Sequence, residues 1–306
     1  MASLKLTQEN DSMSLTVFAN FKIDSEERLQ RMKDSFESFK DAEINQWVIN
    51  ARGHYKDDAI QYLKDRLGEK LISLYLESKE GWFSDSRKMI GVIKYDYIFF
   101  WIEDHICMCG TEKLDAIVSE MKRSDVEYLG YSWFGMGRSL NQFKGINGTD
   151  GNEITSYNYS KKINKIRQNN SLNEIGEKSY IISACGIFSR ALFIKILMQK
   201  RPFLPRWPRE TPFDFEKRWD DTYILSICYG VSKYEIFASI DDDNLYKGSS
   251  LFSRGLYPKR VNRLDMISIR EIPNKRNNIL YLRKIFSKYT VFRIFYKYII
   301  RITYLF

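Results

Sequence analysis

The stretch Tyr97-Ile98-Phe99-Phe100-Trp101-Ile102-Glu103-Asp104-His105 joins six apolar residues directly to two acids and an imidazole. A short apolar run rich in aromatics reads as a strand buried on both faces. Its abrupt polar end puts hard oxygen ligands at the edge of a sheet. Upstream, Ser14–Ile23 reads as a buried opening strand, and Asp24-Ser25 as a cap. Glu26–Phe39 has Leu29, Met32, Phe36 and Phe39 at helical spacing. Ile44–Ile49 is a second strand running into Asn50-Ala51-Arg52-Gly53, and Lys56–Leu67 a helix with Ile60, Leu63 and Leu67 on one face. Leu71–Leu76 is a third strand, Ser84–Ile93 a short helix, Tyr95–Trp101 the fourth strand and Thr111–Met121 another amphipathic helix. This alternation implies βαβ units and an α/β fold with a mixed, mainly parallel sheet flanked by helices. In open sheets of this kind ligands sit beyond the carboxyl ends of the strands. Asn20, Arg52 and Glu103–His105 all fall at such ends.

Composition sets the outer bounds. The chain has 306 residues, 44% hydrophobic and 28% charged, a globular balance with enough apolar material for a sizeable core. Of the net charge of +9, residues 275–306 supply +8, because they hold eight cations and no acid. The body is therefore close to neutral, and nucleic-acid binding is not expected. Met1–Ser12 is polar, with no signal-peptide pattern. The four cysteines, Cys107, Cys109, Cys185 and Cys228, are expected to be reduced thiols in a cytoplasmic setting. Cys107-Met108-Cys109 lacks zinc spacing, and His54, the only histidine besides His105, reads as an exposed loop residue.

The second half is less regular. Gly135–Gly176 is rich in Gly, Asn, Ser and Lys and reads as a long mobile segment, a candidate lid. Tyr180–Ile187 reads as a strand, Ser189–Met198 as a helix, and Arg201–Pro212, with four prolines, as extended chain. Trp219–Cys228 reads as a helix and Tyr234–Ile240 as a strand entering Asp241-Asp242-Asp243. Three constellations carry chemistry. Glu103-Asp104-His105 is either a cation site that neutralises a diphosphate or an acidic loop with a solvated histidine. Asp214, Glu216, Asp220 and Asp221 cluster at a predicted helix start, where acids also favour the helix dipole. Asp241–Asp243 is a rival metal site or an acidic turn; beyond it, Arg254, Lys259 and Arg260 suit a diphosphate or a lipid-linked phosphate. No serine-hydrolase elbow, Walker A loop or Rossmann glycine fingerprint is present.

The order of strands and helices ending in Glu103-Asp104-His105 resembles the nucleotide-binding half of GT-A glycosyltransferases, above all the inverting family 2. The triplet departs from that family's Asp-x-Asp motif. The resemblance covers roughly residues 14–230, by layout more than by identical residues. It implies Asp104 and His105 as ligands of a divalent cation, Mn or Mg. It further implies Phe18, Ala19, Asn20 and Arg52 around the base and phosphates, and Ser84, Asp85 and Lys88 on a helix that reads the donor. Glu103 and Arg254 complete the expected donor contacts. Glu216 is the implied general base, with Asp214 and Asp221 as rivals; apolar Phe215 and Trp219 raise its basicity, while Lys217 and Arg218 oppose this. Residues 1–274 then form the catalytic domain, about 14–125 the nucleotide-sugar half and 126–274 the acceptor half.

In the tail, Phe292, Phe295, Ile299, Ile302 and Phe306 recur at helical spacing, with Arg293, Lys297 and Arg301 as a separate stripe. Three regular cations argue against a spanning helix and favour an in-plane amphipathic one, so residues 278–306 are expected on an anionic membrane surface. The expected protein is an inverting glycosyltransferase, peripheral on the inner face of the membrane. It takes a nucleotide-sugar donor and a glycan or lipid-linked acceptor, as in bacterial surface polysaccharide assembly. The alternatives are a nucleotidyltransferase of related fold and a non-catalytic membrane-associated scaffold with a decayed site.

Overall fold

Strand β1 (Leu15–Lys22) is the spine of the structure, a computed structural model that describes residues 15–130, 142–160, 162–163, 181, 185–198, 212, 226–241 and 250–258. β1 pairs in parallel with β2 (Gln46–Arg52) on one side and with β4 (Tyr97–Phe100) on the other. β3 (Leu71–Leu74) continues the sheet beyond β2. The chain thus winds from β1 outward to β3 and then returns to the far side of β1. That reversal makes the β1/β4 boundary a topological switch point, the place beyond the strand ends where open α/β sheets bind ligands. Successive side chains of these strands are buried on both faces. Val17, Ala19, Phe21, Trp47, Ile49, Phe99 and Trp101 pack in one core cluster, and Phe18, Val48, Ile98 and Phe100 in the other.

Helix α1 (Glu26–Glu37) starts at Ser25, whose hydroxyl accepts from the Arg28 amide at 3.2 Å. It buries Leu29, Met32 and Phe36 in the first cluster, as α2 (Lys56–Leu67) buries Ile60 and Leu63. α3 (Trp82–Met89) packs Trp82, Phe83 and Met89 into the second. β5 (His105–Cys107) leaves the main sheet and pairs antiparallel with β11 (Phe237–Ser239). α4 (Thr111–Arg123) and β6 (Tyr128–Leu129) follow. Beyond β4 the sheet alternates: β9 (Gly186–Ser189) is antiparallel to both β4 and β6, and β10 (Ile227–Ser232) lies parallel to β6. β8 (Ile154–Tyr159) and β7 (Gly148–Asp150) close the far edge. α5 (Arg190–Leu197) follows β9, capped by the Ser189 hydroxyl. Among the described residues the fold is a nine-stranded mixed sheet with helices packed on it, and its parallel character lies mainly in β3-β2-β1-β4. The described residues up to Tyr257 belong to one compact unit.

The structure corrects two expectations. The described part of the Gly135–Gly176 segment is not a lid: residues 148–150 and 154–159 form a hairpin on the sheet edge. Buried Glu120 of α4 holds the hairpin's turn, accepting from the amides of Glu153 at 2.8 Å and Ile154 at 3.3 Å. Gly151 makes this possible, since a Cβ there would lie 1.7 Å from the Glu120 carboxylate. The helix expected over Trp219–Cys228 does not reach its last residues, because Ile227 and Cys228 open β10. There Ile227 and Tyr229 meet an apolar layer that favours strand over helix. The Arg201–Pro212 segment (apart from Pro212), the start of the Trp219 helix and the 275–306 tail lie outside the described residues.

Gly53, between β2 and α2, has φ +90°. A Cβ there would sit 2.4 Å from an Asp24 carboxylate oxygen and 2.8 Å from the Ile23 carbonyl oxygen. Gly53→Ala should therefore lower stability by about 2 kcal/mol through backbone strain. Gly91→Ala, at a site with open space, should stay within about 0.5 kcal/mol of the parent. Urea unfolding monitored by tryptophan fluorescence checks both; equal midpoints for the two variants would contradict the strain argument.

Candidate active site

At the carboxyl ends of β1 and β2 a group of buried polar side chains meets on Asn20. Its amide donates to the Trp82 carbonyl at 3.1 Å and to the Ser86 hydroxyl at 2.9 Å. Its carbonyl oxygen accepts from Asn50 at 2.9 Å and from Arg52 Nε at 3.1 Å. The Trp82 indole returns a bond to the Asn20 backbone carbonyl at 3.0 Å. Asn50 also binds both backbone groups of the next strand's exit, accepting from the Leu76 amide and donating to its carbonyl. One residue of β1 therefore fixes the ends of β2, the chain after β3 and the start of α3. Asp85 is fully buried in α3 and accepts from the Ser78 amide, so it holds the loop that enters its own helix.

These positions refine the expected donor contacts. Asn20 and Arg52 are buried and bonded to each other, and Asp85 is buried in α3 on the Ser78 amide. Phe18 and Ala19 are fully buried; the Phe18 ring packs 5.0 Å from Phe193, and its carbonyl accepts from the Trp101 amide. Ser84 is partly exposed and bonds Glu80, while Lys88 is exposed on α3. Asn50, Trp82 and Ser86 were missed. Asn50 carried a legible signal, a polar residue at a strand end.

The second group surrounds the acidic triplet. The Trp101 indole donates to the Ser35 hydroxyl at 2.8 Å, and Ser35 donates in turn to the His105 carbonyl, tying the segment to α1. The Ile240 amide donates to the Asp104 carbonyl at 2.8 Å, extending the β5–β11 pairing in which His105 faces Ser239. This continuation places Asp241 directly after a residue bonded to the Asp104 backbone. Two arginines of α1 line the same edge. Arg28 lies 3.5 Å from Glu103, and Arg31 bridges Glu27 at 2.6 Å and Asp241 at 2.9 Å.

The two carboxyls of the triplet are driven apart. Burial, and then the charge of Asp104, push Glu103 above the usual carboxylate range. Burial also pushes Asp104 upward, but the adjoining His105 ring, Arg31 and Arg28 outweigh it and hold Asp104 below its ordinary value. His105 Nδ1 lies 2.6 Å from the Asp104 carboxylate. His105 is buried rather than solvated, which excludes the loop account of the triplet's end. The Asp104 side chain keeps 34% of its surface exposed, so an ionised oxygen donor remains accessible.

Among the described residues no three His, Cys, Asp or Glu side chains converge as a metal cage. The donor set fits a cation of the magnesium type, which takes one or two carboxylates and completes its shell with phosphate oxygens and water. Asp104 suits that role, and His105 braces its carboxylate. Arg254 forks onto Glu235 at 2.5 and 3.0 Å. Glu216, Asp214, Asp220, Asp221, Asp242, Asp243, Lys259 and Arg260 lie outside the described residues. Among the described residues no helix is long and apolar enough to cross a membrane.

No family model and no curated protein sequence matches the chain. Among solved structures it is similar to S. aureus TarS 1-349, with TM-score 0.46 and 13% identity over 74% of this chain and 60% of that one. The same fragment in complex with UDP-GlcNAc gives TM-score 0.46 and 13% identity over 78% of this chain and 61% of that one. Its complex with UDP gives 0.47 and 12% over 76% and 61%. The chain thus spans less than two thirds of the structures it matches.

Asn20→Ala should cost about 3 kcal/mol, because it removes one partner from several buried polar groups at once. Hydrogen exchange should show the loss concentrated at β1, β2 and α3. A loss below about 1 kcal/mol would mean that water replaces the amide without penalty.

Proposed function

We propose that the chain is a nucleotide-sugar-dependent glycosyltransferase. The observation that carries this reading is the Asp104 carboxylate, partly exposed beyond β4 at the topological switch point, bonded to His105 and on the same edge as Arg28 and Arg31. A sugar nucleotide needs its diphosphate held at a strand edge and its developing charge neutralised as the sugar leaves. A divalent cation held by Asp104 would supply that neutralisation when bound. The exposed Arg28 is placed to share the phosphate oxygens. The bonded group of Asn20, Asn50 and Arg52 holds the strand ends, so the edge need not reorganise on binding. The acceptor hydroxyl attacks the anomeric carbon, the bond to the diphosphate oxygen breaks, and the hydroxyl proton passes to a carboxylate. Glu216 is the proposed base and in-line attack with inversion the proposed course. The acceptor is proposed to be a glycan or lipid-linked sugar, as in surface polysaccharide assembly.

Thermal-shift measurements with UDP, GDP and CMP, with and without Mn²⁺, test the donor site, since a ligand of the folded state raises its melting point by mass action. One nucleoside diphosphate should stabilise selectively, and Asp104→Ala should abolish the Mn²⁺-dependent part while leaving the ligand-free melting point nearly unchanged. Turnover of the matching nucleotide sugar should disappear in Asp104→Ala and fall about 10²-fold or more in Glu216→Gln. Release of pyrophosphate instead of a nucleoside diphosphate would point to nucleotidyl transfer. No nucleotide response of any kind would favour a non-catalytic protein.

The basic segment 278–306 is proposed to bind anionic lipid from the inner face of the membrane. Full-length protein should pellet with vesicles containing phosphatidylglycerol at low salt and release as ionic strength rises; protein lacking 278–306 should stay in the supernatant. Equal pelleting of both forms would remove the membrane role.

A further inference from the structure

Ser35 stands on the buried face of α1, next to Phe36 and about one turn after Met32, and is itself fully buried. A hydroxyl at such a position adds nothing to apolar packing and costs free energy unless it is hydrogen-bonded. Its bonds therefore give the reason for its place. The oxygen accepts from the Trp101 indole at 2.8 Å, and its single proton goes to the His105 carbonyl. Trp101 and His105 bracket Ile102, Glu103 and Asp104. One side chain of α1 thus closes, from outside, the turn that carries Asp104.

Ser38, the C-cap of α1, repeats the arrangement further along the same helix. Its hydroxyl accepts from the Cys107 amide at 2.9 Å and donates to the Ser35 carbonyl at 2.6 Å. The pairing of β5 explains why these two backbone groups need side-chain partners. Toward β11, the Asp104 carbonyl accepts from Ile240, the Met108 amide donates to Ile236, and Ile106 lies opposite Ala238. Backbone groups of alternate residues leave a strand at opposite edges. Those of His105 and Cys107 therefore point away from β11, where among the described residues no further strand pairs with β5. Buried backbone groups are rarely left without a partner, and the two hydroxyls take the place of the missing strand. Arg28, Arg31, Ser35 and Ser38 follow one another at spacings of three, four and three residues, a single helical stripe. The same stripe that brings Arg28 to 3.5 Å from Glu103 thus also holds the backbone behind the triplet.

We propose that Ser35 and Ser38 are positioning residues of the donor site. They hold the backbone of His105 and Cys107 so that the Asp104 carboxylate, 2.6 Å from the His105 ring, keeps one place for a divalent cation. The inference rests on the reading of Asp104 given above. Neither serine touches the donor or the reacting atoms. Without the Ser35 hydroxyl, the Trp101 indole and the His105 carbonyl lose the group that joins them, and the turn between them can settle into several arrangements. Only some of these present Asp104 to a cation, and apparent affinity falls in proportion to the competent fraction.

Mn²⁺ is titrated into the full-length protein at fixed UDP, GDP or CMP, and the Mn²⁺ concentration that gives half of the thermal shift is compared among variants. Ser35→Ala should raise it about tenfold, the lower end of what removing a group that braces a metal ligand costs. Ser38→Ala should raise it less, and Ser38→Thr, which keeps the hydroxyl, should match the parent. Gly151→Ala is the control: its Cβ would meet the Glu120 carboxylate on the far edge of the sheet, so it should lower the ligand-free melting point and leave the Mn²⁺ requirement unmoved. Serine variants that behave like this control have a merely structural role, and the proposal is overturned. Residue-resolved hydrogen exchange reads the bonds without any ligand. Ser38→Ala should speed exchange of the Cys107 amide while the Met108 amide, bonded to Ile236, stays protected. Equal protection of Cys107 in the parent and in Ser38→Ala would also overturn the proposal. If Ser35→Ala does not fold, the half-buried Ser38 variants carry the same comparison. No Mn²⁺-dependent shift in the parent with any of the three nucleotides would overturn the donor-site reading and this inference with it. A parent response that neither serine substitution moves would overturn the inference alone.

Discussion

The Asn20 amide is a polar knot inside an apolar sheet, and much of the candidate site depends on its being fully bonded. A buried amide without partners destabilises a core, while one that satisfies several groups fixes them relative to one another. Asn20 joins β1 to Asn50 and Arg52 of β2 and to Trp82 and Ser86 of α3. Hydrophobic packing alone would leave the strand ends free to slide along their neighbours, because apolar contact is not directional. The knot removes that freedom at the carboxyl edge, where a ligand needs fixed groups. Asn20 and Arg52, two of the residues that the resemblance assigned to donor contact, direct these hydrogen bonds to each other and to their neighbours in the sheet and α3.

The first half of the fold was legible because each of its elements carries its own signal. Lys56–Leu67 was read to the residue, since three apolar positions on one face and Gly68 at its end leave little choice. The apolar runs of β1 and β4 were equally plain, because parallel strands covered on both faces contain almost no polar residue. β5, β6 and β7 were not read. They are two or three residues long, and such strands exist only because a distant partner holds them. The hairpin over 148–159 illustrates the cause. Its sequence is rich in turn formers; its turn is held by Glu120, more than twenty-five residues earlier in the chain, and its strand by pairing with the distant β10.

The candidate site was legible in the same uneven way. Glu103 and Asp104 announced themselves as acids at a strand end. That the chain entering Asp241 would bond the Asp104 backbone was hidden, because it depends on β5 leaving the main sheet to pair with β11. The two arginines of α1 were hidden for a different reason. On the sequence Arg28 and Arg31 look like the solvated face of an amphipathic helix, and only the packing of α1 under the β4–β5 connection turns that face toward the triplet.

This arrangement gives the His-ended triplet a physical rationale. The carboxylates of Glu27, Glu103, Asp104 and Asp241 stand against the two cations of Arg28 and Arg31. His105 aside, these six groups carry a formal excess of negative charge. An aspartate in place of His105 would add another in a largely buried position, where an unpaired carboxylate shifts toward protonation rather than stay charged. The imidazole instead bonds Asp104 and favours its ionised form. A bare diphosphate would meet a slightly repulsive edge, relieved only in part by the exposed Arg28. A diphosphate accompanied by a divalent cation would bring the compensating charge with it. Under the proposed function, such an edge would favour entry of a nucleotide and a cation together over assembly on a cation already held by a protein cage.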